Sequence, residues 1–217
     1  PFLLLLYIKR ELLVRPAVLS AGFLKEYWWF NFHAVTALVI SDFVLILDIL
    51  LAEHYLQQSG IADYKTLIML PFNLWILPQI FLQTDMPKLA YHFKNKKFVF
   101  NYITNYYKVF FPIACVILGI CFIWQDEIVP WIFGEQYQGG WLFVLLVAVV
   151  LFSWFSKTLF TNLLSVIGKV RWNTISGLLS VMVLFAVGTY LMPIYGLTGL
   201  VYATCAAIAC VSVLSLT

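Results

Sequence analysis

The sequence predicts an all-α fold, a polytopic transmembrane helix bundle of six spans, and three observations carry that prediction. Of the 217 residues, 63% are hydrophobic and only 11% charged, whereas an ordinary soluble domain is about 45–50% apolar and about 25% charged. Apolar stretches recur at about 28–52, 66–86, 106–124, 141–164, 174–192 and 196–217, each close to the roughly 20 residues that cross the hydrocarbon layer as a helix. The connections between them alternate between basic and acidic, as loops on opposite sides of a membrane do. Strands are excluded, because these runs are continuously apolar while barrel strands alternate over about 10 residues. Helices satisfy their own backbone in lipid.

Taken in order, the apolar run Phe2 to Ile8 reads as the end of a preceding transmembrane helix, residues 1–8, and residues 9–27 as a cytoplasmic linker. Residues 28–217 then form the six-span unit. The chain opens at Pro1 without an initiator Met or a signal-peptide layout and stops inside an apolar run at Thr217, so it reads as a fragment of a longer membrane protein. One set of connections holds Lys9, Arg10, Arg15 and Lys25, then Lys88, Lys94, Lys96, Lys97 and Lys108, then Lys169 and Arg171. That side is expected to be cytoplasmic. The other set holds Lys65 as its one base, with Glu53, Asp63, Asp126, Glu127 and Glu135, and is expected to face outward. Trp28, Trp29, Trp124, Trp131, Trp141 and Trp172 fall near span ends, as interfacial anchors do. Segment 93–108 mixes Phe93, Phe98, Tyr102 and Tyr106 with Lys94, Lys96, Lys97 and Lys108. It is expected to be an interfacial helix on the inner leaflet, in contact with membrane lipids.

Composition also removes several classes of function. A net charge of +3 with scattered bases leaves no footprint for nucleic acid. Cys115, Cys121, Cys205 and Cys210 lie inside apolar runs and read as small buried hydrophobes, without a disulfide framework or a CxxC pair. His33, His54 and His92 fall on three segments at both sides of the membrane, so they cannot converge on one metal. Nucleophile-elbow, phosphate-loop and dinucleotide signatures are absent from the sequence, and an enzyme is not expected.

The polar groups inside the spans carry the functional reading. An ionisable side chain at mid-bilayer costs at least about 2.5–3.5 kcal/mol and asks for a partner or a water-filled cavity. Asp42 and Asp48 in the first span and Lys157 in the fourth are such groups. At about 100° per residue, Ala34, Ala37, Ser41 and Asp48 share one stripe of the first span, a small and polar face suited to close packing or to lining a cavity. Asp42 lies about 120° away, flanked by Leu38, Val39, Leu45 and Ile46, and is expected to pair with the long-stemmed Lys157. The second span carries Pro71 and Pro78 with Asn73, Gln79 and Gln83. The prolines are expected to kink it, freeing carbonyls that need water or a neighbour. A substrate or coupling site is one reading of this set; a buried structural ion pair that fixes helix packing is the other.

Several landmarks resemble the C-terminal half of the polysaccharide transporters, the Wzx-type O-antigen flippases of the multidrug/oligosaccharidyl-lipid/polysaccharide exporter superfamily. They are Asp48 followed by an outer turn with Gly60 and Tyr64, and Pro87 with Leu89 and Ala90 closing the second span. Next come Phe133-Gly134-Glu135-Gln136-Tyr137 in an outer loop and Gly168-Lys169 in an inner turn. The run Met192-Pro193-Ile194-Tyr195-Gly196-Leu197-Thr198-Gly199-Leu200 closes the set, similar to that family's Pro-x-Tyr-Gly-x-x-Gly hairpin between the last two spans. The resemblance implies one lobe of a twelve-span carrier of the cell inner (cytoplasmic) membrane, with no cofactor. A cationic cavity between two lobes would take the pyrophosphate and glycan head of an undecaprenyl-linked oligosaccharide, and alternating access would move it outward. Lys157 would attract the anion, Asp42 or Asp48 would bind a coupling proton or sodium ion, and polysaccharide polymerase machinery would be a partner. A drug/cation antiporter of the same superfamily, or a membrane glycosyltransferase or polymerase, is the alternative.

Overall fold

The computed structural model describes residues 21–214, and among them the chain is helical, with no strand. Six helices are long and apolar enough to cross a membrane: Leu24–Tyr55, Gln58–His92, Lys96–Ile123, Gly140–Val166, Arg171–Tyr195 and Leu197–Leu214. We refer to them as spans one to six. The protein is a multi-pass, all-α membrane bundle. Spans four and six are its most enclosed members, with over half of each apolar window buried, while the other four turn most of their surface outward. Much of that outer surface is apolar, with Val116 of span three and Phe185 of span five each more than half exposed, as a lipid-facing wall requires.

Spans one and five pack through glycine. A Cβ built on Gly177 would stand 2.9 Å from Cγ2 of Ile40, and one built on Gly188 would stand 2.9 Å from Cδ1 of Leu51. The two glycines are separated by the same interval as Ile40 and Leu51, three helical turns, so the same face of each helix meets the other and the two run parallel. Small residues let helix backbones approach where lipid offers no hydrophobic drive to pack them.

Span two is broken. One helix, Gln58–Asn73, ends where a second, Ile76–His92, begins. At the break the ladder tightens: Leu74 N–H donates to Pro71 O and Trp75 N–H to Phe72 O, both at 3.1 Å. Pro78 has no N–H to give to Leu74 O, and that carbonyl accepts from Leu77 at 3.3 Å instead. The helix is therefore interrupted between Pro71 and Pro78, where the prolines are expected to kink it, and both rings are buried.

Several boundaries differ from expectation. The first helix runs from Ala21, so residues 21–27 are helical and continuous with span one; residues 1–20, including the apolar run Phe2 to Ile8, and residues 215–217 lie outside the described set. The turn after span one is Leu56–Gln57, and Gly60 and Tyr64 sit within the following helix. That helix starts well before residue 66, at Gln58, and its second turn brings Tyr64 to a fully buried position. Pro87 does not close span two, which continues through it to His92. Segment 93–108 is not a separate interfacial helix. Asn95 caps a single helix, Lys96–Ile123, by accepting from Phe98 N–H at 3.2 Å, and no breaker follows before Pro112. Its 28 residues reach about 42 Å, so Lys96 and Lys97 stand at the N-terminal end of span three and Lys108 about three turns further in.

Glycines shape the turn between spans four and five and the final hairpin, at the positions the sequence marks. Gly168 (φ +75°) lies between spans four and five, and Gly196 (φ +56°) alone separates spans five and six. With ψ at −128°, Gly196 occupies a region that side chains forbid.

Replacing Gly177 by Leu should lower stability by about 1–3 kcal/mol, the cost of overpacking, read as a fall in the thermal unfolding midpoint in detergent. Adding Ile40→Ala to the same chain should restore part of the loss; an unchanged midpoint in the single variant would contradict the close approach.

Candidate functional site

Span one delivers Asp48 to the interior. It lies on the stripe predicted from helical periodicity and is completely buried. Span six approaches closely there because its residues are small, with Ala203, Thr204, Cys205 and Ala207 in succession around the contact. Thr204 Oγ1 donates to Asp48 Oδ1 at 3.3 Å, and Tyr64 Oη lies 2.9 Å from the same hydroxyl. A threonine hydroxyl has one hydrogen; with it directed at Asp48, Tyr64 is the donor to Thr204. The chain Tyr64–Thr204–Asp48 thus ties spans two, six and one together. The other carboxylate oxygen, Asp48 Oδ2, is buried with no hydrogen-bond partner.

Thr204 also faces a cavity of about 120 Å³. Ser41 of span one, Trp75 at the break in span two, Lys157 of span four and Ser180 of span five contribute to the same walls, so five of the six spans meet there. Lys157 is half-buried, and its Nζ sits 5.3 Å from the centre of the Trp75 ring. A cation over an indole face is held electrostatically even where water is scarce.

The expected pair of Asp42 with Lys157 does not form. Asp42 is exposed on the outer face of span one, beside the exposed Leu38, Val39, Leu45 and Ile46, and it is not among the cavity walls. Ser41 and Leu45, themselves exposed, edge the cavity, and Asp42 stands about 100° around the helix from Ser41, off the part of span one that reaches it. The amides of span two are likewise outside the cavity. Asn73 is exposed and donates to Met69 O at 2.8 Å; Gln83 is exposed and Gln79 half-buried. Span two reaches the cavity through Phe72 and Trp75 instead.

Three residues that complete the site were not singled out for it from the sequence. Tyr64 was read as a turn residue, and Thr204 is one hydroxyl in an apolar run. Trp75 does carry a signal in retrospect, an indole placed between two helix-breaking prolines. Comparisons with protein-family models, curated proteins and solved structures find no match.

Thr204→Val keeps the shape and removes the hydroxyl, leaving Asp48 and Tyr64 without their shared partner. Unsatisfied buried groups cost about 1–3 kcal/mol each, so the unfolding midpoint should fall, whereas Thr204→Ser should stay near the parent. Equal stability of the valine and serine variants would contradict the hydrogen-bond chain.

Proposed function

We propose that this chain is one lobe of a carrier of the polysaccharide-transporter type, acting in the cell inner membrane. Its cargo is an undecaprenyl-pyrophosphate-linked oligosaccharide, which it moves across by alternating access. The observation that carries the reading is Asp42, an exposed carboxylate near the middle of a 32-residue span. Exposed hydroxyls and amides elsewhere quieten themselves on their own helix: Thr36 donates to Phe32 O at 2.7 Å and Thr84 to Ile80 O at 2.8 Å. A carboxylate has only acceptors, and the N–H groups of a helix interior are already taken. Among the described residues nothing reaches Asp42, so its charged form needs water or a group from outside them, and lipid supplies neither.

The outer faces of spans one and two, with Asp42, Asn73 and Gln83, then form one wall of an aqueous passage. Lys157 attracts the pyrophosphate, and Asp42 or Asp48 binds the coupling proton or sodium ion. The free oxygen of Asp48 supports the second role. A drug/cation antiporter is the competing reading, favoured by the exposed group being an acid; it predicts no effect on surface glycan.

In a strain lacking the full-length gene, lipid-linked repeat units should accumulate on the cytoplasmic leaflet. Re-expression of Lys157→Ala or Asp42→Ala should restore surface glycan about tenfold less well than the parent at equal membrane abundance, the scale of one lost charged hydrogen bond. Normal surface glycan in the deletion strain overturns the proposal.

A further inference from the structure

Span four is not a regular α-helix. Over Trp154–Thr158 it widens into a π-turn, and Lys157 lies within it. Such a turn amounts to one residue inserted into the α ladder, so the two halves of the helix are offset by about 100° from the register a continuous α-helix would give. π-turns strain the ladder and expose carbonyls to other donors.

Two tyrosines of span three fill that role. Tyr106 Oη donates to Trp154 O at 3.0 Å and Tyr107 Oη donates to Phe155 O at 2.8 Å. Span two holds the turn from another side. Trp75 Nε1 donates to Ser153 Oγ at 2.6 Å, and the single hydrogen of that serine goes to Val150 O at 2.6 Å. The same Trp75 presents its ring to the Lys157 ammonium. The rings of Tyr106 and Tyr107 pack by themselves, on Phe110 with centroids 4.6 Å apart and on Phe155 at 5.1 Å. Phenylalanine at either position preserves that packing and loses only the bond to the turn.

We propose that Tyr106 and Tyr107 are positioning residues. Their hydroxyls hold the π-turn open, and the open turn brings Lys157 over Trp75 and into the cavity shared by five spans. Loss of both hydroxyls lets span four relax toward a continuous α-helix, which rotates position 157 away. This inference adds to the reading of Lys157 as the anion-attracting group and rests on it for its functional weight.

The test uses the full-length carrier with its native cysteines replaced, reconstituted in vesicles and treated with a small water-soluble methanethiosulfonate. Lys157→Cys should react, and adding Tyr106→Phe with Tyr107→Phe should slow that reaction by about tenfold, the combined scale of one buried and one half-buried hydrogen bond. Ser41→Cys, on another wall of the same cavity, should keep its rate in the double-phenylalanine background. An unchanged rate at position 157 overturns the proposal, and so does an equal slowing at positions 41 and 157, which would mean general collapse of the cavity. Full transport by Lys157→Ala would instead remove the functional reading of the lysine, a result independent of the labelling rates.

Discussion

Hydrocarbon offers no hydrogen-bond partner, and the architecture of this bundle follows from that constraint. Each departure from regular helix comes with its own solution. At the break in span two, Leu77 replaces the proton that Pro78 lacks. At the widened turn of span four, Tyr106 and Tyr107 satisfy the opened backbone. The buried acid of span one is met by a hydroxyl that is itself met by Tyr64. Exposed threonines bond back to the carbonyl one turn earlier. Asp42 has no such solution among the described residues while it is ionised, because a carboxylate only accepts.

The same constraint explains why the cavity sits where it does. Spans four and six are enclosed by the rest, and a polar group placed on either must find partners from several neighbours at once. Thr204 does so with Asp48 of span one and Tyr64 of span two, and Lys157 meets Trp75 of span two. Glycines along span five allow span one to come close enough for Asp48 to reach span six. Packing by small residues and satisfaction of polar groups are therefore one problem here: without the close approach, Asp48 would stand in a dry gap.

The fold was legible in the sequence because transmembrane spans are written as long apolar runs, and their turns as Gly168 and Gly196. The inward direction of Asp48 followed from the helical stripe it shares with Ser41. What was not legible depends on depth and rotation between helices. Lys65, Asp85 and the lysines before span three look like span limits in a hydropathy window, yet helices continue through them, since charged side chains near helix ends reach the interface. The pairing of Asp42 with Lys157 was drawn from charge alone, and a one-residue offset on span one sends Asp42 outward. The Tyr64–Thr204–Asp48 chain joins residues more than a hundred positions apart, and no local pattern encodes it. The π-turn has no breaker residue to announce it.

The central claim is that the outer face of span one at mid-membrane meets water and not lipid. Its most direct measurement is the labelling of Asp42→Cys, in the otherwise cysteine-free full-length protein in vesicles, by a membrane-impermeant thiol reagent. Val116→Cys, on the exposed apolar face of span three, serves as the lipid-facing comparison. The account predicts that position 42 reacts from at least one side while position 116 does not; equal protection of both positions would contradict it.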